Sequence, residues 1–330
     1  MNSNNIYQNK KIVLAPMAGI TSVGYRHFMI PFGIDYAVTE MVSDMGLIYG
    51  NEETKRYVTY DNEEVPVGVQ LFGNNPETIA KAALISLNLN KNIAFFDLNM
   101  GCPVNKVTKV GSGSALMKNP KLCGEIVRKL KEVTDLPITA KIRLGWDNNS
   151  INYLEVIKEL EEAGVSAIAI HARTRNELYS GYPHYELLKD LRLKMHVPLI
   201  ISGNIFSLED AINALDITKA DGIMIARGGI GNPYLIKQIK YYFENGIKLP
   251  NPTLEEQIKY CLSLADCYIV EFGELKAMRI YRGIASKFFN GFPNSKTLKA
   301  QLSQELTTKE SLIKILNDYK LNNLQDWIIK

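Results

Sequence analysis

The stretch AFFDLNMGCPV (94–104), with PKLCGEIVRKLKEV (120–133) and ITAKIRL (138–144) after it, decides the fold. Two near-continuous apolar runs flank an amphipathic segment whose apolar positions recur at helical spacing. A strand apolar on both faces is buried on both faces, as strands of a parallel sheet are. Parallel neighbours need a crossover, usually a helix. The same unit recurs on either side. IVLA (12–15), YAVT (36–39) and VGVQL (67–71) precede it, and AIAIH (167–171), PLIIS (198–202) and GIMIA (222–226) follow. Helical patterns separate several of these runs: PETIAKAALISL (76–87), NYLEVIKELEEAG (152–164) and SLEDAINAL (207–215). Pro76, Pro120 and Ser207 stand at helix starts and Gly164 at a helix end, where each is favoured.

Eight strand-like runs with no ninth predict an α/β fold of the closed (β/α)8 kind, a TIM barrel. A doubly wound open sheet would place a Gly-rich dinucleotide turn after its first strand; PMAG (16–19) is no such turn. After Leu249 the texture changes. Pro250 and Pro252 mark a boundary, no strand-like run follows, and helical patterns fill roughly 253–272, 274–290, 295–303 and 308–320. The expectation is a barrel domain over 1–249 and a small all-helical domain over 250–330.

The 330 residues are 46% hydrophobic and 22% charged, with a net charge of +3. This is the balance of an ordinary soluble protein. Bulk charge announces no nucleic-acid binder, so any such footprint must come from local clustering. Cys102, Cys123, Cys261 and Cys267 match no metal, iron–sulfur or disulfide spacing. The N-terminal MNSNNIYQNKK lacks the apolar core of a signal peptide, and no apolar run reaches the ~18–20 residues that span a membrane. A reduced, cytoplasmic protein is expected, with no metal, no membrane association and a monomer as the default state.

In a barrel, chemistry sits at the C-terminal ends of the strands. Here those ends are polar or glycine-rich: Pro16-Met17-Ala18-Gly19, Glu40, Gln70, Asn99, Lys141 with Arg143, His171 with Arg173, Ser202-Gly203-Asn204, and Ala226-Arg227. Polar groups in buried strands are costly unless satisfied or functional. Lys141 is the sharpest case. A salt-bridged lysine, a core histidine at 171 and glycines that only make turns are the ordinary alternatives for single positions. The loops after the seventh and eighth strands are the usual phosphate seat, and Arg227 offers a fixed fork to phosphate oxygens. GSGSAL (111–116) follows no strand, so its likeness to a phosphate loop is weak. With Lys106 and Lys109 it is read as a mobile, basic loop beside Cys102. That cysteine lies between Gly101 and Pro103 on the catalytic rim, whereas the other three fall among apolar residues of helical patterns. A thiol with an ordinary pKa of ~8.5 is mostly protonated at neutral pH and can act as a general acid. The nucleophile alternative would want a histidine base, for which His171 is the candidate.

LAPMAGIT (14–21), VQLFG (69–73), DLNMGCPVNKV (97–107), GSGSALM (111–117), ITAKIRLGW (138–146), IAIHARTR (168–175), SGNI (202–205) and MIARGGIGNPY (224–234) together resemble the tRNA-dihydrouridine synthases, and most closely the B branch of the bacterial enzymes. The likeness runs in order over about residues 11 to 240. It implies a TIM barrel holding FMN, followed by a helical domain that grips tRNA. It implies reduction of uridine to 5,6-dihydrouridine: NADPH or NADH reduces the flavin, hydride passes from flavin N5 to uracil C6, and Cys102 protonates C5. By the same resemblance Pro16, Met17 and Ala18 line the flavin, and Gln70 and Lys141 bond its ring. His171, Ser202, Gly203, Asn204, Ala226 and Arg227 hold its phosphate region. Asn99 reads the uracil edge, with Arg143 and Arg173 near the nucleotide. The family shows Asn-Gly-Asp after the seventh strand; Ser202-Gly203-Asn204 keeps the backbone donors and loses an acidic group.

Residues 276–299 carry Lys276, Arg279, Arg282, Lys287, Lys296 and Lys299 and no acid. On a helical wheel Lys276, Arg279, Arg282 and Lys287 share one side, opposite Tyr281, Ile284, Ala285 and Phe288. An uncompensated basic stripe suits RNA phosphates, with a solvated charged face as the ordinary alternative. A dihydroorotate- or dihydropyrimidine-type dehydrogenase acting on a free base shares the flavin barrel but needs no such stripe. A non-catalytic RNA-binding barrel would not need Cys102, Lys141 and the phosphate loops together.

Overall fold

A computed structural model describes residues 6–7, 11–61 and 63–328, with side chains described as far as residue 322. The polar N-terminus read above for a leader lies largely outside them. Eight parallel strands close in sequence order: β1 (Lys11–Leu14), β2 (Tyr36–Ser43), β3 (Val67–Phe72), β4 (Phe95–Met100), β5 (Ile138–Ile142), β6 (Ala167–His171), β7 (Leu199–Ser202) and β8 (Gly222–Ile225). Closure is made by β1 against β8, with Ile12 opposite Ile223 and Leu14 opposite Ile225. Every strand lies close to its expected run.

β2 departs furthest from expectation. It continues four residues past Thr39 to Ser43, and its register against β3 shifts between Val38 and Met41. At that irregularity the Thr39 hydroxyl, not a ladder carbonyl, accepts the backbone N–H of Gln70 at 3.1 Å. Such bulges re-aim side chains. Here the buried carboxylate of Glu40 accepts the N–H of Gly19 in the loop after β1.

The barrel interior is apolar toward its N-terminal end. Val13 and Ala15, Val38, Phe95, Ala167 and Ala169, Ile200 and Met224 form one buried cluster with Ile6 and Tyr7. Tyr7, Tyr36 and Phe95 meet edge-on, with ring centroids 4.9 to 6.2 Å apart, an arrangement aromatic quadrupoles favour. Large and small residues alternate: a Cβ on Gly68 would lie 2.1 Å from the Phe95 ring. Outer helices start where their caps dictate. Asn75 and Asn119 accept N–H groups of the first turns of Pro76–Leu89 and Pro120–Lys131, and Ser207 with Asp210 forms a capping box on Leu208–Thr218. Each such cap is worth about 1 kcal/mol.

The chain packs as two compact units, Met1–Ser22 with Ile34–Ala226, and Val23–Gly33 with Arg227–Lys330. The expected boundary at 249 and 250 follows composition, whereas packing gathers helices Val23–Met29 and Tyr234–Asn245 with those that follow. The reason is local. The Gly24 N–H donates to Glu271 at 2.7 Å, and a Cβ on Gly24 would lie 2.8 Å from the Cys267 carbonyl oxygen. The second unit is helical, with Leu254–Phe272, Glu274–Ala285, Ser295–Gln304 and Lys309–Ile328 around buried Tyr268, Tyr281, Phe288, Phe289, Leu302 and Leu316. The segment expected as one helix over 274–290 is α-helical to Ala285 and tightens to a 3-10 turn over Ser286–Phe289. Among the described residues no helix is long and apolar enough to cross a membrane, and no group of three acidic, histidine or cysteine side chains could hold a metal ion.

Candidate active site

The C-terminal ends of β3, β4 and β5 bring Gln70, Asn99 and Lys141 side by side. Gln70 pairs in register with Asp97, and Asn99 with Lys141. Asn99 Nδ2 donates to Gln70 Oε1 at 2.8 Å, and Gln70 Nε2 donates to Asp97 Oδ2 at 2.6 Å. Thr139 Oγ1 donates to the other oxygen of Asp97 at 2.5 Å. Asn99 Oδ1 accepts the backbone N–H of Cys102 at 2.9 Å and that of Gly101 at 3.2 Å.

Cys102 therefore sits on a turn held from several sides. Its carbonyl accepts the backbone N–H of Ser114 at 3.1 Å and the Ser114 hydroxyl at 2.9 Å. Ser114 belongs to GSGSAL, whose Ser112, Gly113 and Ser114 are buried and lead into a 3-10 helix, Gly113–Lys118. Gly113 has φ 62°, and a Cβ there would lie 2.8 Å from the Cys102 carbonyl oxygen; only glycine fits. This segment is a buckle on the thiol turn, while Lys106 and Lys109 remain exposed before it. Burial pushes the half-buried Cys102 thiol above its ordinary pKa, against lowering by the Val104 backbone and the cations Arg143 and Lys141. Burial thus favours the protonated thiol, the form that can donate a proton.

Lys141 is half-buried and, among the described residues, makes no ion pair within hydrogen-bonding reach. Burial, and then the neighbouring Arg143 cation, bring its pKa down to about 8, while Asp97 and Cys102 pull it upward. An ammonium so placed is under-compensated, and an anion beside it would restore its charge preference.

Arg143 and Arg173 are buried. Arg143 donates from Nε to the Gly101 carbonyl and from Nη1 to the carbonyls of Thr174 and Leu178, each at 2.8 Å. Arg173 donates to the carbonyls of Ser180 at 2.9 Å and Gly181 at 2.5 Å, and its Nη1 lies 3.1 Å from His171 Nε2. A guanidinium cannot accept, so Nε2 of His171 is the acceptor and Nδ1 carries the proton. His171 stands opposite Ser202 in register. A Cβ on Gly203, at φ 130°, would lie 3.1 Å from the His171 ring. Asn204 is also at positive φ, 43°. Pro16 and Met17 are half-buried, Ala18 is exposed, and Met17 N–H donates to Thr21 Oγ1 at 3.0 Å. Ala226 is half-buried after β8; Arg227, exposed, opens the second unit.

Sequence reasoning missed Asp97 and Thr139, and named Glu40 only as the polar end of the second strand. The criterion that singled out Lys141, a charge inside an apolar strand, applies equally to Asp97 in AFFDLN. It also missed Trp146, flanked by Lys118 Nζ at 3.4 Å and the Arg175 guanidinium at 4.6 Å from its ring centre. Arg175 in turn donates to Asn105 in the segment after Cys102.

Within the second unit Lys276, Arg279 and Lys287 are exposed and make no ion pair among the described residues, and Lys276 lies 5.1 Å over the Phe272 ring. Arg282 is half-buried, and its Nε donates to the Leu306 carbonyl at 2.7 Å.

Residues 13–324 match the family model described as dihydrouridine synthase. A relative from Shewanella oneidensis, tRNA-dihydrouridine synthase B, is 35% identical over 281 residues, covering 84% of this chain and 85% of its own. Its counterpart in Pasteurella multocida is 34% identical over 316 residues, covering 96% and 95%. A probable tRNA-dihydrouridine synthase of Rickettsia conorii is 33% identical, covering 93% and 94%.

Proposed function

The chain belongs to the dihydrouridine synthase family, and we propose that it reduces uridines of tRNA to 5,6-dihydrouridine with FMN and NADPH or NADH. The observation that carries the proposal is the half-buried thiol of Cys102, on a turn pinned at the barrel rim by Asn99 and Ser114. Saturating the uracil C5–C6 bond needs a hydride at one carbon and a proton at the other. FMN, held there and reduced by the nicotinamide, would supply the hydride. Cys102 gives the proton to C5, and the burial that raises its pKa keeps that proton available at neutral pH.

The residues present fit a flavin. Lys141 has the chemistry for the ring edge that becomes negative on reduction, since its own pKa marks a cation in need of an anion. Gln70 would bond the ring beside it, with Pro16, Met17 and Ala18 lining it. His171, Ser202, Gly203, Asn204 and Ala226 would hold the phosphate end. Asn99 keeps a second Nδ2 hydrogen with which to meet a uracil carbonyl. Arg143 and Arg173 would shape the loops that face the nucleotide. The helical domain over 250–330 would grip tRNA through Lys276, Arg279 and Lys287. A uridine in folded RNA must leave its stack to reach a barrel rim, so a separate grip on phosphates has a purpose.

The test supplies purified protein with unmodified tRNA and with free uridine in parallel, each with NADPH, and measures dihydrouridine and released flavin. Flavin in the protein and dihydrouridine from tRNA are expected. Reduction of free uridine without tRNA would turn the reading toward a free-base dehydrogenase.

A further inference from the structure

We infer that Asp97 is a positioning residue for Cys102, acting through Gln70 and Asn99; the inference rests on the reading of Cys102 as proton donor. The chain of bonds has only one workable direction. The backbone N–H groups of Gly101 and Cys102 can only donate, so Asn99 must turn Oδ1 toward them. Its Nδ2 then faces Gln70, which must present Oε1. That leaves Gln70 Nε2 for Asp97, whose ionised carboxylate can only accept. Donors at one end and an acceptor at the other thus fix two side-chain amides whose orientation is otherwise free to reverse.

Two further observations give Asp97 this role. It is only 1% exposed and forms no salt bridge among the described residues; its direct hydrogen bonds come from the neutral donors Gln70 and Thr139, while the Lys141 cation acts on it from farther off. A buried carboxylate is costly, and a single apolar residue would fill the space at less expense. The backbone of Gln70 is also anchored, by Thr39 at the β2 irregularity, so its side chain can swing only about its own torsions. Asn99 sets which way that amide faces, and Asp97 anchors its far end. Without that acceptor Gln70 is held at one end only, Asn99 loses a rigid partner, and the amides under Cys102 lose a fixed oxygen.

Asp97→Leu removes the acceptor while keeping the branching of the side chain. Asp97→Asn keeps one oxygen for Gln70 and can turn its amide nitrogen to the Thr139 hydroxyl. The readout is the rate of iodoacetamide modification at Cys102 across pH, followed on the Cys102 peptide in the folded holoenzyme, with dihydrouridine formation from tRNA measured alongside. In Asp97→Leu the loosened turn should expose the thiol and raise the modification rate at neutral pH several-fold, since an exposed thiol is both reached and ionised more easily. Asp97→Asn should stay near wild type. If Asp97→Leu does not fold, Gln70→Met cuts the same chain one link on and should give the same acceleration. A wild-type modification profile in folded Asp97→Leu or Gln70→Met would overturn the inference, as would equal acceleration in Asp97→Asn. Dihydrouridine formation that survives Cys102→Ala would instead remove the donor reading and leave the modification result standing.

Discussion

Arg143 donates from Nε to the carbonyl oxygen of Gly101 at 2.8 Å, so a cation at the end of β5 holds the turn that carries the next residue's thiol. The same guanidinium reaches the carbonyls of Thr174 and Leu178 in the loop after β6. One buried side chain ties two rim loops to a strand, and its charge lies among backbone dipoles instead of in solvent.

Arg143→Met should orphan three carbonyls at once. At roughly 1 kcal/mol for each buried acceptor left unpaired, the loss is on the order of 3 kcal/mol. That is a large share of a typical protein's stability. Urea unfolding of wild type and variant measures it. A shift in midpoint corresponding to under about 0.5 kcal/mol would show that water replaces the guanidinium without penalty.

Lys141 makes the flavin-free protein sensitive to alkaline pH. In the unfolded chain its ammonium titrates at the ordinary 10.5, and in the barrel at about 8. Between these values the unfolded chain holds a proton that the folded one has released, so stability rises as pH climbs from about 8 to 10.5. Below that window the buried cation costs about 3 kcal/mol. Lys141→Met should therefore raise the urea midpoint of flavin-free protein at neutral pH and flatten its rise above pH ~8. The same variant should hold FMN less tightly. A variant that keeps the wild-type alkaline rise would assign that rise to another group.

The basic residues between 276 and 287 separate into two kinds. Lys276, Arg279 and Lys287 are exposed and form no ion pair among the described residues, whereas Arg282 bonds the Leu306 carbonyl. Replacing the first three by alanine should weaken tRNA binding and lower the slope of log affinity against log salt by up to about 0.9 for each phosphate no longer neutralised. Flavin content should not change. Arg282→Ala should lower the melting temperature as well. Unchanged salt dependence in the triple variant would place the RNA grip elsewhere.

The barrel was legible in the sequence because strands buried on both faces read as unbroken apolar runs, and their caps and prolines separate them from helices. The place of Cys102 on the barrel rim was legible because it lies between Gly101 and Pro103, just after AFFDLN, and not among the apolar residues of a helical pattern. The hydrogen bonds around it were not. The Gln70–Asp97 bond depends on β3–β4 register, and the Thr39–Gln70 bond on an irregularity in β2 that no turn residue signals. Arg143 and Arg173 declared their charge in the sequence but not the carbonyls that absorb it, which lie up to 42 residues away. For the same reason the basic wheel of residues 276–287 could not tell Arg282, committed to Leu306, from its exposed neighbours.

Dihydrouridine formed in unmodified tRNA, with NADPH and purified protein, compared between wild type and Cys102→Ala, is the measurement that bears most directly on the proposed reaction. The account predicts dihydrouridine from the wild type and a loss of roughly 10²–10⁴-fold in the variant, the range a positioned general acid contributes, with NADPH oxidation by the flavin retained. A variant that forms dihydrouridine at the wild-type rate would contradict the assignment of the proton to Cys102.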